Sequence, residues 1–230
     1  MNTQVDPRLL ELLGKQERLI EILEKSEQVL DLLDKAAIHD RLMRYARGID
    51  RNDGDLCQDT FWPDALVDHG HSKFKGDSIG RLFTTVGKSA HRQVHQITNL
   101  VIEINGDLAT SEAQHWYTAE TERNMVYYML SRSLRYVDRW ERRDGEWRIF
   151  HRTTIESWNR IDPVVERIPN SENNYLCKSD KSDLSYELFE LTARGEKPTL
   201  RYPDSEAGYK SATTRYDSAG FKLRDESRNP

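Results

Sequence analysis

Residues 90–120, AHRQVHQITNLVIEINGDLATSEAQHWYTAE, decide the fold. Apolar and polar residues alternate on both sides of Asn105-Gly106-Asp107, the period-two pattern of strands joined by a tight turn. Residues 124–158 repeat the arrangement: NMVYYMLSRSLRYVDRWERR, the turn Asp144-Gly145, then EWRIFHRTTIESW. This half of the chain reads as an antiparallel sheet of long strands.

Upstream the period lengthens. In IHDRLMRYARGID (38–50) the apolar stripe Ile38, Leu42, Tyr45 and Ile49 recurs at helical spacing. Asp53-Gly54-Asp55 then marks a turn, and LCQDTFW (56–62) reads as a second short helix. ALVDHG (65–70) reads as a strand, and 77–88 as a helix capped at Asp77 or Ser78. Helices first and strands after, without βαβ alternation, give an α+β class with helices on one face of a curved sheet.

Two extensions flank this core. Over residues 7–35, Leu9, Leu12, Leu19, Leu23, Leu30 and Leu33 fall on alternating three- and four-residue steps, with Gln16 and Ser26 in the gaps. This is a short coiled-coil-like seam, expected to pack on the domain or on another subunit. Beyond about residue 170 the chain turns polar, yet Tyr186, Phe189, Tyr202, Tyr209 and Phe221 suit a tail lying over the domain or a neighbour. The division expected is an arm over 1–34, a domain over 35–165 and an extension over 166–230.

Composition narrows the function. A net charge of −5 and a pI near 5.8 argue against a nucleic-acid binder. The two cysteines, Cys57 and Cys177, form neither a metal spacing nor a disulfide framework. No apolar run approaches the roughly 20 residues of a membrane span, and MNTQVDPRLL lacks the plan of a secretory signal. A cytoplasmic setting without membrane attachment is the expectation.

Two features point to chemistry. The helix over 38–50 ends on Asp50, an anion at the negative end of the helix dipole, where a cationic or protonated partner would offset the unfavourable placement. The histidines gather on the strands: His69 and His71, His91 and His95, His115, and His151. Strand alternation places His91, Gln93, His95, Ile97 and Asn99 on one face, a set that suits a cavity wall. A carboxylate beside an imidazole fixes the tautomer and stabilises the imidazolium, which makes Asp50 and His95 a candidate pair. Metal binding is not expected: on a strand His91 and His95 stand roughly 13 Å apart, too far for one ion. The sequence lacks a GxGxxG or Walker loop, a GxSxG elbow and an activated cysteine. Cofactor-free acid–base chemistry, or none, remains.

Four stretches in order, IHDRLMRYARGIDRNDGD, FWPDALVDHG, HQITNLVIEINGDLATSEA and LRYVDRWERRDGEWRIFHRTTIESW, resemble the SnoaL-like branch of the NTF2-like superfamily over about residues 35–160. The resemblance implies a cone-shaped barrel, a bent antiparallel sheet wrapped around helices with an apolar pocket inside. It also implies kinship with cofactor-free lyases of the scytalone dehydratase, bile-acid 7α-dehydratase and hexachlorocyclohexane dehydrochlorinase types. Carried over by position, the catalytic aspartate falls on Asp50, the strand histidine on His95 and a helix tyrosine on Tyr45. A last-strand arginine falls near Arg152, and His69 takes the place of a dehydratase tyrosine.

The function expected is therefore a cofactor-independent lyase on a small apolar cyclic or aromatic molecule. Asp50, His95 and Tyr45 would be catalytic, and His69, His115, Asn99 and Arg152 would contact substrate. The bond lost would be C–O, C–halogen, or C–C with release of a small aldehyde such as formaldehyde. Isomerisation, aldol cyclisation and a non-catalytic binding or oxygenase small-subunit role are the alternatives. The resemblance further implies a homo-oligomer, a trimer before a dimer.

Overall fold

Helix α1 (Pro7–Asp50) runs for 44 residues without a break, joining the expected arm and the first domain helix into one element. The computed structural model describes residues 7–86, 92–166 and 177–197. After α1 come α2 (Gly54–Asp59), β1 (Phe61–Asp68), β2 (Lys73–Lys75), a 3-10 turn (Gly76–Ser78) and α3 (Ile79–Val86). Four long strands follow: β3 (Arg92–Asn105), β4 (Leu108–Arg123), β5 (Val126–Arg143) and β6 (Glu146–Pro163). Helix α4 (Leu184–Ala193) closes the described chain. The α+β order expected from the periodicity is the order observed.

The sheet runs β2-β1-β6-β5-β4-β3 and is not closed. β3 to β6 form an antiparallel meander, whereas β1 lies parallel to β6, so the sheet is mixed. A parallel neighbour requires a long crossover, which the whole of β2 to β5 supplies here. Positive φ values at Asp144 and Gly145 give the β5–β6 hairpin its two left-handed turn residues. Gly106 supplies the one that the β3–β4 turn needs, with φ of 61°. Phe61 and Trp62 belong to β1 and not to the second helix as expected. Phe61 is fully buried opposite Ile149, where an aromatic residue on a pleated surface gains more than on an exposed helix end.

The stripe Ile38, Leu42, Tyr45 and Ile49 is buried against the concave sheet face beside Phe61, Val67, Trp140, Trp147 and Ile149. Burying each such side chain contributes about 1.5–3 kcal/mol, which holds the C-terminal half of α1 in the cone. Gly48 lets α2 approach: a Cβ there would stand 2.9 Å from both Cys57 Sγ and Leu56 Cβ. The arginines at the strand ends are interleaved with acids, Arg143 with Asp64 and Arg148 with Asp59. Arg142 instead reaches Asp34, which also accepts from Trp147 Nε1 at 2.9 Å and so ties α1 to the domain.

The arm does not fold back onto the domain; every side chain from Arg8 to Leu30 is exposed. The described part of the C-terminal extension packs on the other end of α1. Arg47 stacks its guanidinium over Tyr186 at 4.4 Å and Phe189 at 4.7 Å, and the Tyr186 hydroxyl donates to Asp53 at 2.8 Å. Asn52 Nδ2 donates to the Ser179 carbonyl at 2.7 Å. Tyr202, Tyr209 and Phe221 lie outside the described residues. Among the described residues no helix is long and apolar enough to cross a membrane.

Candidate active site

Asp50 is the last residue of α1, and its carboxylate reaches β3. Oδ1 lies 2.7 Å from His95 Nδ1, and the His95 backbone N–H donates to both carboxylate oxygens at 3.0 and 3.2 Å. Next to it, Gln93 Nε2 donates to the Ile49 carbonyl at 2.7 Å, so two residues of β3 clamp the helix end. A carboxylate only accepts, so the ring nitrogen facing it carries the proton and Nε2 is left outside the pair. The helix-end acid thus has the protonated partner its position calls for. Both side chains are nearly buried, 9% exposed for His95 and 13% for Asp50.

Beside the pair lies a cavity of about 240 Å³. His95, His115, Tyr117 and Tyr136 give it a polar wall; Phe74, Leu82, Phe83 and Leu134 give it an apolar one. His95 pairs with Tyr117 across β3 and β4, which sets His115 on the diagonal of the same face. The His95 and His115 rings stack at 4.9 Å, and His115 stacks in turn on Tyr136 at 4.4 Å. Arg152 closes the column, its guanidinium 3.8 Å from the Tyr136 ring centre and paired with Asp138 at 2.6 and 2.7 Å. Asp50, His95, His115, Tyr136 and Arg152 therefore form a continuous row across four strands and the end of α1.

The environment sorts these groups by charge. Burial, with the nearby His95 ring and the Arg152 charge, pushes the His115 pKa down to about 2. Burial, with Arg152 and His71, pushes His69 down to about 4. Both imidazoles are neutral at physiological pH. Tyr117 and Tyr136 are pushed upward by burial and hold their protons. Burial opposes the charge of Arg152, but the Asp138 carboxylate outweighs it and the guanidinium stays ionised.

A model of the SnoaL-like domain matches residues 30–153, more than half of the chain. The chain belongs to the SnoaL-like domain family. Solved structures similar to it include a type 2 hexachlorocyclohexane dehydrochlorinase (LinA), at 21% identity and a TM-score of 0.54 over 61% of this chain and 97% of that one. The LinA-type3 dehydrochlorinase of Novosphingobium barchaimii LL02 matches at 20% identity and 0.52, covering 60% and 94%. A candidate scytalone dehydratase of Novosphingobium aromaticivorans DSM 12444 matches at 16% and 0.51, covering 56% and 88%. At these identities the likeness is one of fold, the NTF2-like cone. No curated protein matches the chain.

Within this SnoaL-like domain the structure brings some of the expected residues together and separates others. His95, His115 and His69 line the cavity, and Asp50 holds His95 from behind. His69 lies just past β1, and His71 in the turn before β2, so neither sits on a strand as expected. Tyr45 is 1% exposed and does not line the cavity; Phe61, Phe83 and Tyr136 surround its ring. Its place on the buried stripe sets it one layer below the cavity wall. Arg152 is fully buried in its ion pair, which leaves it behind Tyr136 and out of reach of a substrate. Asn99 is exposed with φ of 50° where the β3–β4 register shifts, because the bulge there turns it off the His95 face. His91 lies outside the described residues.

Tyr136, Tyr117 and Arg132 are the site residues that sequence reasoning missed. Leu134, Tyr136, Asp138 and Trp140 alternate on β5 and are all buried, and that spacing was the available signal. Two consequences follow for measurement. Tyr45→Phe is expected to keep kcat/KM within about threefold of the parent on any turned-over substrate, whereas Tyr136→Phe alters the cavity wall and lowers it further. Steady-state kinetics of the two variants checks the order.

The second consequence concerns acid. Between about pH 6.5 and 4 the unfolded chain protonates His69 and His115 while the folded one does not, so the unfolded state binds more protons. Stability then rises with pH across this window and is lost on acidification, by on the order of 3 kcal/mol for each histidine at pH 4. Urea denaturation at pH 7 and pH 4.5 measures the loss, and His69→Gln is expected to remove part of it.

Proposed function

We propose that this SnoaL-like domain is a cofactor-independent lyase that acts on a small, mostly apolar cyclic or aromatic molecule by proton abstraction and elimination. The observation that carries the reading is the 2.7 Å contact of Asp50 Oδ1 with His95 Nδ1 at the edge of a cavity with one polar and one apolar wall. Asp50 holds the proton on Nδ1, and Nε2 takes a proton from the carbon next to the bond that breaks. The C–H electron pair becomes the new double bond, and the leaving oxygen departs with the pair of the broken C–O bond. The Tyr117 hydroxyl, on a ring 4.7 Å from that of His95, protonates that oxygen and water is released. The imidazolium then returns its proton to the tyrosine through solvent. Neutral His115 adds no charge to oppose the imidazolium as it forms.

Names borne by the dehydrochlorinases and the dehydratase of this fold support the lyase class. A carboxylate committed by three hydrogen bonds to one histidine suits a positioned base. The test is incubation of the purified protein, without added cofactor, with cyclic alcohols, halogenated rings and hydroxymethyl-bearing aromatic dimers. Mass spectrometry reads loss of water, hydrogen halide or formaldehyde. Turnover of an alcohol with loss of water is the expected result. Ligands that bind by calorimetry and are never converted would overturn the reading in favour of a binding module.

A further inference from the structure

Among the described residues nothing covers the seam on the arm of α1. Leu9, Leu12, Leu19, Leu23, Leu30 and Leu33 are between 52% and 62% exposed, and Ile20 and Ile22 beside them are 48% and 56% exposed. At roughly 100 Å² for each such side chain, the uncovered apolar surface approaches the ~800 Å² per partner that a stable interface buries. It exceeds the largest patch of a typical monomer, about 300–600 Å². At its base the arm is held by Asp34 through Arg142 and Trp147, so it leaves the domain as a rigid, continuous helix.

The seam is symmetric about Glu21, with its polar members, Gln16 and Ser26, five residues to either side. Laid antiparallel on a second copy, Leu9 meets Leu33, Leu12 meets Leu30, Leu19 meets Leu23, and Gln16 meets Ser26. Every leucine then faces a leucine, and the polar side chains face each other. The flanks set the direction. Antiparallel pairing brings Ile20 onto Ile20 and Ile22 onto Ile22 at the two-fold axis. Parallel pairing sets Ile22 against Glu27 and Val29 against Asp34. Charge agrees: Arg8, Lys15 and Arg18 outnumber Glu11 and Glu17 before Glu21, and Glu24, Glu27, Asp31 and Asp34 outnumber Lys25 after it, so opposite halves attract when the helices run opposite ways.

We propose that the arm is a dimerisation element that pairs antiparallel with the same arm of a second copy of this chain. The two domains then stand at opposite ends of a seam of about 36 Å. An odd-numbered ring leaves one arm uncovered, so the assembly is a dimer or built from dimers.

Sedimentation equilibrium of the full chain is expected to show a dimer, and Leu19→Glu with Leu23→Glu to weaken it about 100-fold or more. Circular dichroism of that variant is expected to retain the domain's thermal transition. Direction is read by disulfide trapping in a Cys177→Ser background. Leu12→Cys mixed with Leu30→Cys is expected to cross-link, and each alone is not. A monomeric full chain, a dimer indifferent to the glutamates, or cross-linking of either single variant with itself overturns the proposal.

Discussion

His95→Ala is expected to lower kcat by about 10²- to 10⁴-fold, the usual contribution of a positioned general base. The cavity keeps its apolar wall of Phe74, Leu82, Phe83 and Leu134, so KM is expected to move far less than kcat. Asp50→Asn is expected to cost at least about 10²-fold through a different route. The amide removes the charge that stabilises the imidazolium, and its NH₂ group, turned to Nδ1, moves the ring proton to Nε2, where it blocks the base. Nitrogen-15 NMR of the His95 ring separates this from loss of packing, because only a positioning role shifts the tautomer. If both variants keep most of the activity on a turned-over substrate, the pair is structural and the lyase proposal fails.

Arg152→Met alone is expected to destabilise the protein by about 3–5 kcal/mol, because it strands the Asp138 carboxylate, 1% exposed, without its partner. Asp138→Leu alone strands the guanidinium and costs a similar amount. The double variant is expected to recover most of the loss, since two apolar side chains of similar size replace a pair whose desolvation offsets much of its attraction. Urea denaturation of the three variants closes the cycle. A single variant as stable as the parent, or a double variant no better than the singles, would show that the pair does not hold the wall behind Tyr136. Because neither residue lines the cavity, the double variant is expected to stay active.

Much of the fold is legible in the sequence. Period two over residues 90–158 and period 3.6 over 38–50 follow from local geometry, so the hairpins and the buried stripe Ile38, Leu42, Tyr45 and Ile49 were readable directly. Asp50 was legible as an acid in need of a partner because the helix dipole is a local property. Asn99 was misplaced because alternation assumes an unbroken ladder, and a bulge between Thr98 and Val101 shifts the register. Tyr45 and Arg152 were placed on the site because identity at a motif position carries no information on depth. Tyr45 shares its stripe with core residues, and Arg152 meets Asp138 only through the register of β5 and β6.

By itself the sequence determined the long strands and their hairpins, the buried stripe of α1, the helix-end acid and the leucine seam of the arm, all consequences of spacing along one chain. The tertiary structure alone decided that Asp50 Oδ1 lies 2.7 Å from His95 Nδ1, 45 residues away, and that His115, Tyr136 and Arg152 stack behind it. Such contacts depend on strand register and on how far a helix end reaches across a bent sheet. No local pattern encodes either.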